Sequence, residues 1–323
     1  MSYAALALDR ESSPLRGIAF LVFGLSLFTV QDVIIKLLSG GYPTHQIVFF
    51  RGLVAMLPIL AILFLEGGPR LLRSARRPAL ILRGLCGFIC FTAYYMALAA
   101  LPLADAVTLF YASPLFVTTL SWPVLGEAVG LRRWLAVSVG FIGVLVMVGP
   151  PGGGLDPAML LAVGSAFAYA GQILMTRRLS RTEAGSTLAF YAMLTFVAAS
   201  GVVGLAIGDG RFAGSVHPSL AFLLRPWVWP AGADLFLLAI CGLIAGTGFY
   251  CLGQAYRLGP VSVIAPFEYS SLPWAILWGY LIWADLPSWL TLLGVALVVG
   301  SGLYIIHREG VRGRRLVRGR PLR

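Results

Sequence analysis

Charged side chains are scarce in this sequence of 323 residues. They make up only 11% of it, whereas hydrophobic residues make up 59%. An ordinary soluble domain has about 25% charged and roughly 45–50% apolar residues. A soluble fold of this length could not hide so much apolar surface and still present a solvated exterior. The composition therefore excludes a water-soluble globular protein and predicts a chain embedded in lipid.

Side chains that bind metals or nucleotides are also few. The four cysteines all fall within apolar segments, and the three histidines show no metal-ligand spacing. We therefore interpret the cysteines as packing residues and expect no metal and no cofactor. No glycine-rich phosphate-binding motif occurs, which argues against ATP drive by this chain itself.

Long apolar runs dominate what is present. Each covers about 20 residues, enough to cross ~30 Å of hydrocarbon at ~1.5 Å per residue. The runs are continuously apolar and not alternating, so they indicate helices and exclude an outer-membrane barrel. The first run is too long for a signal peptide, and we expect it to be retained. The ten predicted spanning segments are, in approximate bounds, 16–38, 44–65, 79–100, 104–125, 132–149, 157–177, 185–207, 234–256, 260–283 and 287–306.

The net charge of +11 is distributed unevenly along the chain. With a cytoplasmic N-terminus, nearly all of the 24 basic residues lie on the cytoplasmic side. The exceptions are Lys36, Arg51, Arg211 and Arg225. By the positive-inside rule this asymmetry predicts cytoplasmic N- and C-termini. It also gives the basic tail a role at lipid headgroups, not at nucleic acid. Abundant arginine beside a single lysine suggests a bacterial chain, and hence the inner membrane.

The sequence repeats itself once. A constant shift carries Gly84-Leu85, Phe91, Tyr111 and Ser113 onto Gly242-Leu243, Phe249, Tyr269 and Ser271. Internal duplication in a very apolar chain is typical of transporters built from two related halves. Because each half has five spans, the second must enter the bilayer inverted. We therefore predict an all-α membrane protein with inverted five-helix repeats at 1–150 and 151–323, linked at Pro150–Gly154.

One pattern occurs in both halves. The first has Pro102-Leu-Ala-Asp-Ala-Val, Tyr111-Ala-Ser-Pro114, Gly126-Glu127 and Trp134; the second has Gly259-Pro260-Val, Ser271-Leu-Pro273, Asp285 and Trp289. The pattern resembles the EamA family of the drug/metabolite transporter superfamily. Asp285 replaces a second Gly-Glu, but it lies at a helix end and leaves the expected fold unchanged. The resemblance implies a ten-helix exporter of small metabolites, most similar to exporters of amino acids, including aromatic ones.

Two amides occupy equivalent places in the halves. Gln31 follows Phe28 by three residues, and Gln172 follows Tyr169 by three, so each pair shares a helical face. Polar groups in lipid are costly unless they face a cavity or a partner. An amide can donate to a carboxylate and accept from an ammonium, which suits a zwitterion. The alternative is a hydrogen bond between the two glutamines themselves.

Tyrosines and prolines supply further candidates. Flat tyrosine rings suit a binding cavity. An internal proline frees a carbonyl that a hydroxyl, water or ligand must satisfy, so it marks a hinge or a fixed kink. The candidate substrate-binding residues that this adds are Tyr94, Tyr95, Tyr111, Ser113, Tyr250, Gln254, Tyr269 and Ser271. The candidate hinges are Pro114 and Pro273.

Intramembrane charges complete the set. Glu268 lies about 12 Å beyond the cytoplasmic end of its segment, as a proton-coupling site or an anchor for a substrate ammonium. The alternative is an ion pair with Arg83 or Arg257. Asp32 and Lys36 are four residues apart, and we interpret them as a local ion pair. Arg51 is a second possible neighbour of Asp32.

Two regions are expected to lie away from the transport path. The glycine-spaced segments 132–149 and 287–306 predict packing or dimer surfaces, so the protein is a monomer or a homodimer. The external loop at about 208–233 carries Trp227 and Trp229 and predicts an interfacial cover. We expect segments one, three, four, six, eight and nine to enclose the central cavity, with segments five and ten peripheral.

The function predicted is a carrier that exports small metabolites, in particular amino acids including aromatic ones, by alternating access. Within transport, the alternatives are drug cations, sugar phosphates and nucleotide-sugars. A lipid-modifying membrane enzyme would need clustered acids, whereas Glu127 and Asp285 lie on opposite sides. A channel would need a continuous polar stripe. We expect no enzymatic activity, and only the small molecule and the bilayer as partners.

Overall fold

The computed structural model of the protein describes residues 14–126, 130–148, 156–180, 182–214, 217–258 and 261–318. Its helices are α1 (Pro14–Leu38), α2 (Thr44–Glu66), α3 (Arg77–Ala100), α4 (Leu103–Phe110), α5 (Ser113–Leu125), α6 (Leu131–Val148), α7 (Pro157–Leu179), α8 (Gly185–Ile207), α9 (Pro218–Leu224), α10 (Gly232–Leu258), α11 (Val261–Ile264), α12 (Ser271–Trp283) and α13 (Trp289–Arg318). Two 3-10 helices are Gly68–Leu72 and Ala265–Ser270. The predicted link at Pro150–Gly154, Glu127 and the side chains of the basic tail lie outside the described residues.

The all-helical membrane architecture is confirmed. Within the described ranges, nine stretches are long and apolar enough to cross a membrane, and they coincide with predicted segments one to eight and ten. The ninth segment, 260–283, is divided into α11, the 3-10 helix Ala265–Ser270 and α12. It is present, but not as one continuous helix.

Both hinge prolines follow a break in a helix and do not kink a continuous one. Helix α4 ends at Phe110, and Pro114 lies in the first turn of α5. Pro273 lies in the first turn of α12. A first-turn proline costs little, because the N–H it lacks would have no partner within the helix. Each half therefore has one broken helix, and the two pack together through α4 and α12.

The packing of the helices is symmetric between the two halves: each helix pair has an equivalent pair in which the halves change places, or is its own equivalent. Helix α1 packs on α10 and α3 on α7, while α2 packs on α8 and α6 on α13. In α6 and α13 the glycines meet each other: a Cβ added at Gly143 would lie 3.1 Å from the carbonyl oxygen of Gly294. This glycine face is thus used inside the chain.

The loop that carries Trp227 and Trp229 is fastened to the start of α2. The Gln46 amide donates to the Val228 carbonyl at 2.6 Å and accepts from the Val228 N–H at 3.3 Å. The Trp227 ring fills the space beside Gly204, where an added Cβ would come within 2.8 Å of it. Tyr42 donates to the Asp234 carboxylate at 2.6 Å, and this bond raises the pKa of Tyr42. The predicted cover is therefore held by side chains of the helices below it.

Candidate functional site

A central cavity lies between α1, α3, α4, α5, α7, α10 and the divided ninth segment. Its volume is about 120 Å³, far above the ~10–15 Å³ that holds one water. Nine of the predicted residues line it: Phe28, Gln31, Tyr94, Tyr95, Tyr111, Ser113, Tyr169, Glu268 and Ser271. These residues come from five of the six segments expected to enclose a cavity, and the sixth, segment eight, contributes Phe249 and Leu252. The space is large enough for a small organic molecule.

Aromatic rings form most of the wall. Phe249 stands edge-on to Phe28 with ring centroids 5.4 Å apart, and edge-on to Phe91 at 6.4 Å. Phe110 packs between Tyr94 at 5.0 Å and Tyr169 at 5.1 Å. Edge-to-face and tilted rings attract each other through their quadrupoles. The cavity therefore offers flat apolar surfaces on several sides.

Phe91, Phe110 and Phe249 were not predicted as site residues. Phe91 and Phe249 occupy equivalent positions of the internal repeat, so the duplication contained a signal for them. Phe110 has no such signal, because phenylalanine is common in every spanning segment.

A buried polar cluster lies at the side of the cavity formed by α1 and α3. The Asp32 carboxylate is 8% exposed and accepts the Tyr94 hydroxyl at 2.8 Å. Arg51, 1% exposed, donates to the Tyr95 hydroxyl at 2.7 Å. Arg51 also interacts electrostatically with Asp32. The opposite charges of Asp32 and Arg51 thus attract each other, and each group is hydrogen-bonded to a tyrosine that lines the cavity.

The predicted Asp32–Lys36 ion pair is wrong. Lys36 donates to the Leu98 carbonyl at 3.1 Å and to the Leu101 carbonyl. Its ammonium also stands 5.2 Å from the centre of the Trp283 ring. The Leu101 carbonyl follows the end of α3, where oxygens have no partner within the helix. These long-range acceptors override the local spacing rule and leave Asp32 to Tyr94.

The predicted alternative of a Gln31–Gln172 bond is also wrong. Gln31 lies 3.2 Å from the Tyr95 hydroxyl. With its amide oriented to satisfy both ends, it donates to the Cys241 carbonyl and accepts from Arg51, each at 3.1 Å. Gln172 lies outside the cavity, 7% exposed and against Gly87. The two equivalent amides therefore face different surroundings.

Tyr111 joins the two broken helices. Its hydroxyl donates to the backbone carbonyl of Glu268 at 2.7 Å and lies 2.6 Å from the Ser271 hydroxyl. The Glu268 carbonyl also accepts from the Ser271 N–H, so the Tyr111 hydroxyl is its second donor. The Tyr269 ring packs against the Tyr111 ring in a tilted arrangement, with centroids 5.1 Å apart. Its hydroxyl points away from the cavity, toward Gly302 of α13.

Glu268 is one of the residues that line the cavity. Of its predicted alternative partners, Arg83 donates to the Thr176 hydroxyl at 2.6 Å and to the Leu188 carbonyl at 3.1 Å. The side chain of Arg257 lies outside the described residues.

Tyr250 and Gln254 do not share the central cavity, contrary to expectation. They line a second pocket of about 280 Å³ between α2, α8 and α10. Tyr250 is 44% exposed. Their four-residue spacing places them on one face of α10, but that face turns away from the central rings.

Comparison with known proteins agrees with the geometry. The profile of the EamA-like transporter family matches residues 15–149 and, a second time, residues 156–307. A riboflavin transporter of Vibrio cholerae is 28% identical over 94% of this chain and 96% of its own length. An S-adenosylmethionine uptake transporter of Rickettsia felis is 25% identical over 93% and 96%. The pseudopaline exporter CntI of Pseudomonas aeruginosa is 29% identical over 88% and 93%.

A solved crystal structure shares the fold. Its TM-score is 0.62 at 21% identity, and the match covers 95% of this chain and 99% of the other. The relatives are named as transporters and not as enzymes. From the twofold family match, the spanning helices and the enclosed cavity, this chain belongs to the EamA-like transporter family of the drug/metabolite transporter superfamily and is a multi-pass membrane transporter.

Proposed function

We propose that the protein exports amino acids, including aromatic ones, across a bacterial inner membrane. The observation that supports this most is a single cavity whose wall combines aromatic rings with two carboxylates. In this proposal residues 1–150 and 151–323 form inverted repeats that expose the cavity to each side in turn. Both termini are cytoplasmic, and residues 308–323 at the C-terminus form the basic tail.

Each part of an amino acid has a counterpart in the wall. The ammonium group is matched by the carboxylates of Asp32 and Glu268. The carboxylate is matched by hydroxyl donors such as Ser113 and Ser271, which begin α5 and α12. A flat side chain fits between rings such as Phe249 and Tyr169.

A second candidate substrate is a flat heterocyclic metabolite such as a flavin or S-adenosylmethionine. The observation in its favour is the similarity, over more than nine-tenths of the chain, to transporters named for those two compounds. S-adenosylmethionine combines an amino-acid group with a purine ring, so the same carboxylates and rings would serve it. The direction of transport would then be uptake.

Sugar phosphates and nucleotide-sugars match the wall less well. Among the described residues, the cavity lining contains Asp32 and Glu268 but neither arginine nor lysine. A bound phosphate would bring up to two negative charges close to these carboxylates. The wall lacks the basic side chains that phosphate sites use to offset such charges.

Transport by the purified protein in proteoliposomes tests the proposal. Radiolabelled tyrosine, tryptophan, leucine, S-adenosylmethionine, riboflavin and a quaternary ammonium dye are compared at equal and unequal pH on the two sides. We expect accumulation of the aromatic amino acids. Acceptance of only the flavin or S-adenosylmethionine would favour the second candidate, and movement of the dye alone would indicate a drug carrier.

A matched pair of variants connects that result to the site. Asp32→Asn should abolish most transport, whereas Asp209→Asn should leave it unchanged, because Asp209 pairs with Arg211 in the external loop. Equal rates in the two variants would contradict the role given to Asp32.

A further inference from the structure

The second pocket lies where three helices end on one side of the membrane. Its polar residues are Glu66 at the end of α2, Ser186 at the start of α8, and Tyr250 and Gln254 near the end of α10. We call this pocket, defined by those four residues, the inner vestibule. At about 280 Å³ it is the larger of the two spaces. The function proposed above assigns no role to this pocket.

The surroundings of the inner vestibule identify the side on which it opens. Arg70 and Arg73 follow α2, and Arg177 and Arg178 precede α8. Arginines of this kind mark the cytoplasmic face under the positive-inside rule. Their field attracts anions toward the mouth, while the exposed carboxylate of Glu66 attracts cations. A zwitterion, with one group of each sign, is the solute that fits both.

One side chain separates the inner vestibule from the central cavity. Phe249 lines both spaces. On the cavity side its ring is held edge-on by Phe28 and Phe91. The backbone beneath it is fixed by close contact, since a Cβ added at Gly246 would come within 2.3 Å of Pro58. Because the helix is fixed at Gly246, opening a path between the two spaces would require the Phe249 ring itself to move away from Phe28 and Phe91.

We propose that Phe249 is the inner gate of the transporter, and that the inner vestibule is a cytoplasmic subsite where a zwitterion binds before the gate opens. Glu66 and Tyr250 contact its ammonium, and the Gln254 amide contacts its carboxylate. The subsite rests on the proposed export of amino acids; the gate does not. Alternating access requires such a barrier, and this ring is the side chain that the two spaces share.

The gate is tested by thiol accessibility, which needs no transported substrate. In a variant with its four native cysteines replaced by alanine, Ser113→Cys places a thiol in the central cavity and Gln254→Cys places one in the inner vestibule. A membrane-impermeant maleimide is applied to inside-out vesicles. We expect rapid labelling of the Gln254→Cys thiol in every case. Adding Phe249→Ala should speed labelling of the Ser113→Cys thiol about tenfold or more.

The control is Phe236→Ala, on the same helix with a 66% exposed ring, which should not change either rate. If Phe249→Ala leaves the labelling rate of the Ser113→Cys thiol unchanged, Phe249 is not the gate. Labelling of the Gln254→Cys thiol from the opposite membrane face would contradict the cytoplasmic position of the inner vestibule.

The subsite is tested by sidedness of the kinetics. Glu66→Gln should raise the KM for an aromatic amino acid about fivefold when the substrate is presented at the cytoplasmic face, with KM at the external face unchanged. Glu183→Gln, a cytoplasmic acid bonded to Ser74, is the matched control. An equal change at both faces, or none, would overturn the subsite. Absence of any amino-acid transport by the wild type would refute the proposed function and the subsite, while the labelling result would still decide the gate.

Discussion

Gly248 allows the sharpest test of the cavity, because it lies directly against the Phe28 ring. A Cβ added there would come within 2.7 Å of Phe28 Cζ and about as close to two neighbouring ring carbons. Carbon atoms in ordinary contact are ~3.5–4.0 Å apart. In Gly248→Ala the ring must therefore move by about 0.8 Å or more, relative to that ordinary separation.

Displacement of the Phe28 ring should lower both the stability of the protein and its transport activity. Phe28 also contacts Phe249 and lines the cavity, so a displaced ring takes space from the substrate. Overpacking of this kind costs about 1–3 kcal/mol, against a gain of about 0.5–1 kcal/mol for alanine over glycine within a helix. We expect a net loss of roughly 1–2 kcal/mol, together with a several-fold rise in KM.

Gly164 in α7 provides the matched control, because an added Cβ there meets nothing within 4 Å. Gly164→Ala should have unchanged transport and an equal or higher Tm. Thermal unfolding of the detergent-solubilised proteins and initial transport rates measure both effects. If Gly248→Ala behaves like Gly164→Ala in both assays, Phe28 does not pack as described and the reasoning fails.

Three further predictions concern hydrogen bonds. Asp32→Asn should lower the initial transport rate about 10- to 100-fold, the range expected for loss of a charged contact of ~1.5–3 kcal/mol, while insertion into the membrane stays normal. Tyr111→Phe should lower the free energy of unfolding by about 0.5–1.5 kcal/mol, because the Glu268 carbonyl loses one of its two donors and keeps the Ser271 N–H; an unchanged denaturation midpoint would contradict this. Gln46→Ala should speed amide hydrogen exchange at Val228, whose N–H it accepts; unchanged protection would show that the loop is held by other contacts.

The spans were predictable because one physical requirement sets them. A chain with apolar runs of about 20 residues must cross the bilayer as helices, which satisfy their own backbone hydrogen bonds. The positions of Phe28 and Tyr169 in the cavity wall were also accessible, since the repeat places them in equivalent helices. The division of the ninth segment was only partly predictable from the sequence. Pro273 indicates a break, but it does not indicate the 3-10 helix that precedes it.

The remaining errors share one cause. Sequence spacing shows which residues share a helical face but not toward which neighbour that face turns. Tyr250 and Gln254 were correctly paired and yet assigned to the wrong space. Lys36 was paired with Asp32 by a local rule, although it donates to backbone carbonyls that lie more than sixty residues away along the chain. Rotation of helices about their axes is decided by tertiary packing, which a single sequence does not reveal.

The bond between the Tyr111 hydroxyl and residue 268 has a consequence for how this protein can diverge. Its acceptor is a main-chain oxygen, and every amino acid supplies that same oxygen. This bond therefore does not depend on which side chain position 268 carries. A substitution at 268 should change the wall of the cavity and leave the hydrogen bond from Tyr111 in place.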